Sequence, residues 1–166
     1  MSAKSSAKLS AKSCENFRLS DPIHFLALGF GSGLAPKAPG TFGTLAAIPL
    51  VYVASGLSIL PLIIIILLMS IAGVYICGKA AKDAGVHDHG AIVWDEIVGL
   101  MITMFMVPLS WQTILMGFLL FRFFDILKPW PISYLDKHCT GGFGIMIDDI
   151  VAGVFAWLIM WWLFLV

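Results

Sequence analysis

The sequence predicts an all-α, polytopic membrane protein, and three observations carry that prediction. First, hydrophobic residues make up 60% of the 166-residue chain and charged residues only 12%, against about 25% charged in soluble domains. Mean hydropathy is correspondingly high, at +0.96. Second, the apolar residues come as long runs without the ten-residue alternation of a barrel strand, and irregular backbone cannot face lipid. Third, Lys and Arg are confined to a few segments between those runs, as positive-inside topology requires. The expectation is about five membrane helices in one domain, residues 21–166, plus a short interfacial or re-entrant N-terminal helix. A net charge of zero argues against a nucleic-acid surface. Cys14, Cys77 and Cys139 have neither disulfide nor zinc spacing and read as ordinary small apolar residues.

Taken in order, residues 1–20 are rich in Lys, Ser and Ala, without the apolar core of a signal peptide. They read as a basic, disordered cytosolic arm. Ser20 or Asp21 can cap a helix with Pro22 at its first position. The apolar run from Pro22 to Leu34 is too short to span a bilayer, and Gly29, Gly31 and Gly33 interrupt it. His24 on this run reads as a polar tip at headgroup level. Pro36 and Pro39 extend the next stretch, which delivers Gly40, Thr41, Gly43 and Thr44 to the start of a helix. A Gly/Thr turn at a helix N-terminus can cradle an anion, although an ordinary capping turn has the same composition.

Five long apolar segments follow: Thr41 to Ser55, Leu60 to Gly78, Ile92 to Pro108, Gln112 to Leu127, and Asp148 to the end. Lys128-Pro-Trp-Pro131 stops the fourth. Polar loops lie between the second and third (Lys79 to Gly90) and between the fourth and fifth (Asp136 to Gly144). With the arm inside, a path of alternating direction places every Lys and Arg on the cytosolic side. The same placement brings together Gly40, Thr41 and Thr44, the His87–His89 loop, Asp95, Glu96, Arg122, Asp125, Lys128, Asp148 and Asp149.

Each of these groups has an ordinary structural reading. Asp148 and Asp149 would be N-terminal helix acids, and Asp95 and Glu96 first-turn acids. Arg122 and Asp125 are spaced to pair on one helix face, and Lys128 could snorkel. Those readings do not explain the total. Asp95, Glu96, Asp125, Asp148 and Asp149 converge on two cations, Arg122 and Lys128. An acid inside a membrane segment is expensive and points to function. Such an excess suits a divalent cation, and Mg²⁺ typically binds one or two carboxylates with waters and phosphate oxygens.

Four blocks then show a resemblance. They are Gly29-Phe-Gly-Ser-Gly33 with Pro39-Gly-Thr41; Val86-His-Asp-His-Gly90 running into Val93-Trp-Asp-Glu96; Phe121-Arg-Phe-Phe-Asp125 into Lys128-Pro-Trp-Pro131; and Gly144-Ile-Met-Ile-Asp-Asp-Ile-Val-Ala-Gly153. In this order they resemble the phosphatidylglycerophosphatase A family, over roughly Asp21 to Val166. The resemblance implies a Mg²⁺-dependent phosphatase of the bacterial inner membrane, with its active site facing the cytoplasm. Its substrate would be the phospholipid phosphatidylglycerophosphate, converted to phosphatidylglycerol and phosphate. The basic arm lies outside the resemblance.

The residues suit that chemistry on their own terms. There is no Cys-x5-Arg loop and no Asp-x-Asp-x-Thr/Val motif, so metal-assisted attack by water leads over a cysteinyl-phosphate route. Asp95, Glu96, Asp148 and Asp149 are the expected Mg²⁺ ligands. Arg122, with Lys128 in support, is expected to hold phosphate, as are Gly40, Thr41 and Thr44. Asp125 would orient Arg122 or add a ligand, and Asp95, Glu96, Arg122, Asp125 and Asp149 form the expected catalytic set. Two other classes compete. A small proton- or cation-coupled transporter would carry its acids at the bilayer midplane on broken helices. A non-catalytic assembly partner would use Gly-rich helices for packing.

Overall fold

The computed structural model describes residues 17–85 and 89–164 and is helical throughout, with no strand among the described residues. The elements are α1 (Pro22–Ala27), a 3₁₀ turn (Ser32–Leu34), α2 (Pro39–Ala54), α3 (Ile59–Ala84), α4 (Trp94–Thr103), α5 (Trp111–Leu127), α6 (Ile132–His138) and α7 (Gly141–Phe164). The first sixteen residues of the basic arm, with Cys14, and Val86, His87 and Asp88 lie outside the described residues.

Helix α4 is the centre. Ile97, Val98, Gly99, Leu100 and Met101 are all buried, because α2, α3, α5 and α7 surround it. The helices alternate in direction. Gly73 of α3 meets Met146 and Gly78 meets Gly142, so α3 and α7 are antiparallel. Gly99 of α4 meets Phe121 and Gly117 of α5 meets Met104, so α4 and α5 are antiparallel too. Helices α4 and α7 run the same way: Gly99 touches Gly153, and further on Trp157 Nε1 donates to Phe105 O at 3.0 Å. This alternation agrees with the path read from the sequence.

The lengths correct it. Helices α3, with 26 residues, and α7, with 24, are long and apolar enough to cross a membrane, and α2 is a shorter apolar helix. The expected third span shrinks to the ten residues of α4, about 15 Å of rise, against the roughly 30 Å of a hydrocarbon core. Its apolar pattern was that of a core helix buried on every side, which hydropathy cannot tell from a span. Helix α3 shows the opposite environment: Leu67, Leu68, Ile71 and Tyr75 are more than half exposed, a surface of the kind that marks a membrane or protein contact.

Two further boundaries differ from expectation. Helix α3 continues to Ala84, so Lys79, Lys82 and Asp83 are helical rather than in a loop. Helix α7 begins at Gly141, two turns before Asp148. A Cβ at Gly142 would collide with the Val74 carbonyl and the Gly78 backbone. That close approach to α3 outweighs the poor helix propensity of Gly141-Gly-Phe-Gly144.

The N-terminal segment packs against α3 and against the turn that leads into α4. Asp21 caps α1, its Oδ1 accepting from Ile23 N–H at 2.8 Å. That bond and a longer one from His24 N–H hold its carboxyl below the usual range. His24 is buried, not a headgroup tip: Nδ1 accepts from Arg18 N–H and Nε2 lies 3.1 Å from Asp83 Oδ2. The last residue of α1 meets the turn before α4, where Val93 N–H donates to Ala27 O at 2.8 Å. Cys77 lies in the core, Sγ 3.9 Å from Met146 Sδ.

Candidate active site

The acids meet where α4 and α7 cross. Asp95 and Asp149 each stand one turn ahead of a touching glycine, Gly99 and Gly153. The Thr103 hydroxyl, which donates to Gly99 O of its own helix at 2.9 Å, also reaches Gly153 O of α7 at 3.4 Å. Side-chain oxygens of Asp95, Glu96 and Asp149 lie within 4.8 Å of one another. They line a cavity of about 140 Å³ that Asp125, Lys128 and Asp148 complete. Since α7 starts at Gly141, Asp148 and Asp149 are mid-helix, and the capping explanation for them falls away. Both are buried.

Arg122 of α5 closes one side. Its Nη1 contacts Asp125 Oδ2, one turn on, and lies 3.8 Å from Glu96 Oε1. Asp125 thus stands in contact with the guanidinium that it was expected to orient. Arg122 Nε, Glu96 Oε2 and Asp148 Oδ1 are buried with no hydrogen-bond partner among the described residues. Buried polar atoms are ordinarily satisfied; Glu96 and Asp148 line the cavity, and Arg122 stands next to Glu96.

Gly40 touches this group directly. A Cβ there would collide with Glu96 Oε1 and lie 3.0 Å from Arg122 Nη1. Gly40 is the second residue of α2, where N–H groups have no intrahelical acceptor, and it faces the arginine. Thr41 is half-buried beside it, its N–H donated to Ala38 O at 2.9 Å. Thr44 turns inward: it is fully buried and its hydroxyl donates to Gly40 O at 2.8 Å. That donor is spent inside the helix, which takes Thr44 out of the phosphate-binding set.

Lys128 sits just past α5 and donates to Asp136 Oδ1 and Asp148 Oδ2, each at 2.5 Å. Partial burial disfavours its charge, but the two carboxylates outweigh that and raise its pKa above the ordinary lysine range. Asp136 was not anticipated. Eight positions from Lys128 across a Pro-Trp-Pro turn, it has no helical spacing to betray the contact. His89 is buried and its Nδ1 accepts from Ala91 N–H at 3.1 Å, bracing the turn into α4.

The family model described as phosphatidylglycerophosphatase A matches residues 25–164. The chain belongs to the phosphatidylglycerophosphatase A family. Members named phosphatidylglycerophosphatase A include one from Escherichia coli, 52% identical over 82% of this chain and 80% of its own length. Another, from Haemophilus influenzae, is 53% identical over 86% of this chain and 88% of its own. A Bacteroides thetaiotaomicron protein, named provisionally as a phosphatidylinositol-3-phosphatase, is 34% identical over 81% of this chain and 89% of its own. No solved structure matches the chain. The match spans α2 through α7 and so includes every residue that lines the acidic cavity.

Proposed function

We propose that this chain is a membrane phosphatase that hydrolyses phosphatidylglycerophosphate to phosphatidylglycerol and phosphate. It would work with Mg²⁺ at the cytosolic face of a bacterial inner membrane. The observation that carries the reading is the clustering of Asp95, Glu96 and Asp149 within 4.8 Å beside Arg122. Membership in a phosphatase family gives that cluster its chemistry.

The donor set fits a hard divalent cation. It consists of carboxylate oxygens only, and Glu96 Oε2 and Asp148 Oδ1 are buried with no partner among the described residues. Asp95, Glu96 and Asp149 would hold the ion, with Asp148 adding a fourth carboxylate. When bound, such an ion neutralises phosphate charge and makes water a better nucleophile.

The side chains supply the rest. A phosphomonoester is mostly dianionic near neutral pH. The Arg122 fork, steadied by Asp125, grips two phosphate oxygens, and the Gly40 N–H at the start of α2 adds a neutral donor. Water adds to phosphorus as the glycerol ester oxygen leaves, so the P–O bond that breaks is the one to the lipid. The proton of the attacking water would pass to a carboxylate of the cluster and from there to the departing glycerol oxygen, so that the alcohol leaves neutral. The exposed apolar faces of α3 and α7 let the acyl chains stay in the bilayer while the headgroup reaches the cavity.

The transporter reading is disfavoured by placement. The acids stand on the unbroken helices α4 and α7 rather than on broken ones, and the family model and the named relatives are of a phosphatase. The test is phosphate release by the purified protein in detergent from phosphatidylglycerophosphate, with Mg²⁺ and with excess EDTA. Phosphate and phosphatidylglycerol in equal amounts, only with Mg²⁺, are expected. No release under either condition would sink the proposal. Phosphatidylinositol 3-phosphate, run alongside, reads the headgroup preference.

A further inference from the structure

The cavity contains one charged contact that the phosphate chemistry above leaves unused. Lys128 bridges two acids on different helices, Asp136 on α6 and Asp148 on α7. Their surroundings differ: the Asp136 side chain is 40% exposed and that of Asp148 only 9%. Asp148 accepts from Lys128 at Oδ2, while its Oδ1 is buried with no partner among the described residues and belongs to a residue lining the acid cavity. Pinning one oxygen of a carboxylate fixes the direction of the other. Lys128 therefore decides where Asp148 Oδ1 points.

Lys128 needs fixing in turn. An ammonium on a flexible four-carbon stem has three rotatable donors and no planar fork to orient it. A single bond to Asp148 would leave it free to swing toward water. The second bond, to Asp136, defines its position between α6 and α7. The left-handed backbone at Lys128 (φ 42°, ψ 56°) turns the chain out of α5 at this point, and Ile132, fully buried, anchors α6 beside it.

We propose that Asp136 is a positioning residue: it anchors Lys128, and Lys128 aims Asp148 Oδ1 into the cavity shared with Asp95, Glu96 and Asp149. This rests on the cation reading of that cluster. Outer partners of metal ligands typically change metal affinity or activity by about 10- to 100-fold. Asp136 acts here through two intermediaries, which puts its effect at the lower end.

The test uses the full chain in detergent without substrate, with Mn²⁺ as the probe and the electron paramagnetic resonance of free Mn²⁺ as the readout. Asp136→Asn weakens Mn²⁺ binding about 10-fold, and Asp136→Glu, which keeps the charge within reach of Lys128, restores most of it. In a Lys128→Met background, Asp136→Asn adds nothing, because the residue works only through Lys128. The half-saturating Mg²⁺ for phosphate release rises by the same factor in Asp136→Asn, while the KM for lipid at saturating Mg²⁺ stays put. Wild-type Mn²⁺ affinity in Asp136→Asn, an equal further loss in the Lys128→Met background, or a raised lipid KM would each overturn the proposal. Failure of the underlying reading looks different: the unmutated protein itself would then retain no Mn²⁺.

Discussion

Gly99 and Gly153 pack backbone to backbone: a Cβ on Gly153 would stand 2.6 Å from the Gly99 carbonyl oxygen and 3.2 Å from its Cα. The contact sets the distance between Asp95 and Asp149, each one turn earlier on its own helix. In an apolar surrounding, helices gain little from burying Leu or Ile against one another. Close approach at small residues does the work instead.

Gly153→Ala should therefore cost both fold and function. The backbone of α4 cannot step aside as a side chain would. Overpacking of this kind destabilises by about 1–3 kcal/mol, and widening the crossing separates the two acids. Lower thermal stability in detergent together with at least a tenfold loss of phosphate release is the expected pair. Wild-type values for both would remove the crossing from the account.

Gly40→Ala should behave differently. The atoms that its Cβ would strike are the far ends of Glu96 and Arg122, which can move cheaply. The fold should survive with thermal stability close to wild type. The displaced carboxylate and guanidinium should cost on the order of 100-fold in activity, the scale of a 1 Å misplacement. Activity near wild type in Gly40→Ala would contradict the placement of this pair in the site.

Arg122→Lys separates a phosphate fork from a simple partner of Asp125. Lysine can still pair with Asp125 but cannot grip two oxygens in a plane. Loss of one preorganised donor costs about 10²–10³ in rate. A drop in kcat of that order, with normal expression and extraction, is expected. A fully active Arg122→Lys would make Arg122 structural.

The one-sided placement of charge predicts topology. Gly56, in the uncharged turn between α2 and α3, and Lys137, exposed on α6, are suitable single-cysteine positions once the natural cysteines are replaced. A membrane-impermeant thiol reagent should reach Gly56→Cys from outside intact cells and Lys137→Cys only after the membrane is opened. Labelling of both from one side would exclude the proposed orientation.

The legible and illegible parts of this fold divide along physical lines. Composition announced helices, and charge placement announced that Asp95, Glu96, Arg122, Asp125, Asp148 and Asp149 share one end. Both are properties of residues read locally. The length of α4 was illegible, because a fully enclosed core helix and a membrane span have the same hydropathy. The start of α7 was illegible because Gly141 and Gly142 are weak helix formers whose helicity comes from packing on α3. The Asp136–Lys128 contact depends on how the Pro129-Trp130-Pro131 turn folds back, which no periodicity encodes. One signal was present and unread: Asp95-Glu-Ile-Val-Gly99 and Asp149-Ile-Val-Ala-Gly153 share the spacing of an acid one turn before a glycine, on the two helices that cross.

The central claim is that Asp95, Glu96 and Asp149 act together on a divalent cation in phosphate-ester hydrolysis. The most direct measurement is a Mg²⁺ titration of phosphate release by wild type and by Asp149→Asn, from phosphatidylglycerophosphate in detergent. Asparagine keeps the size of the side chain and removes its charge. Wild-type activity should vanish in EDTA and return with Mg²⁺. Asp149→Asn should stay inactive across the same range, or recover only at Mg²⁺ about 10- to 100-fold higher. A wild-type titration curve from Asp149→Asn, or full wild-type turnover in excess EDTA, would contradict the account.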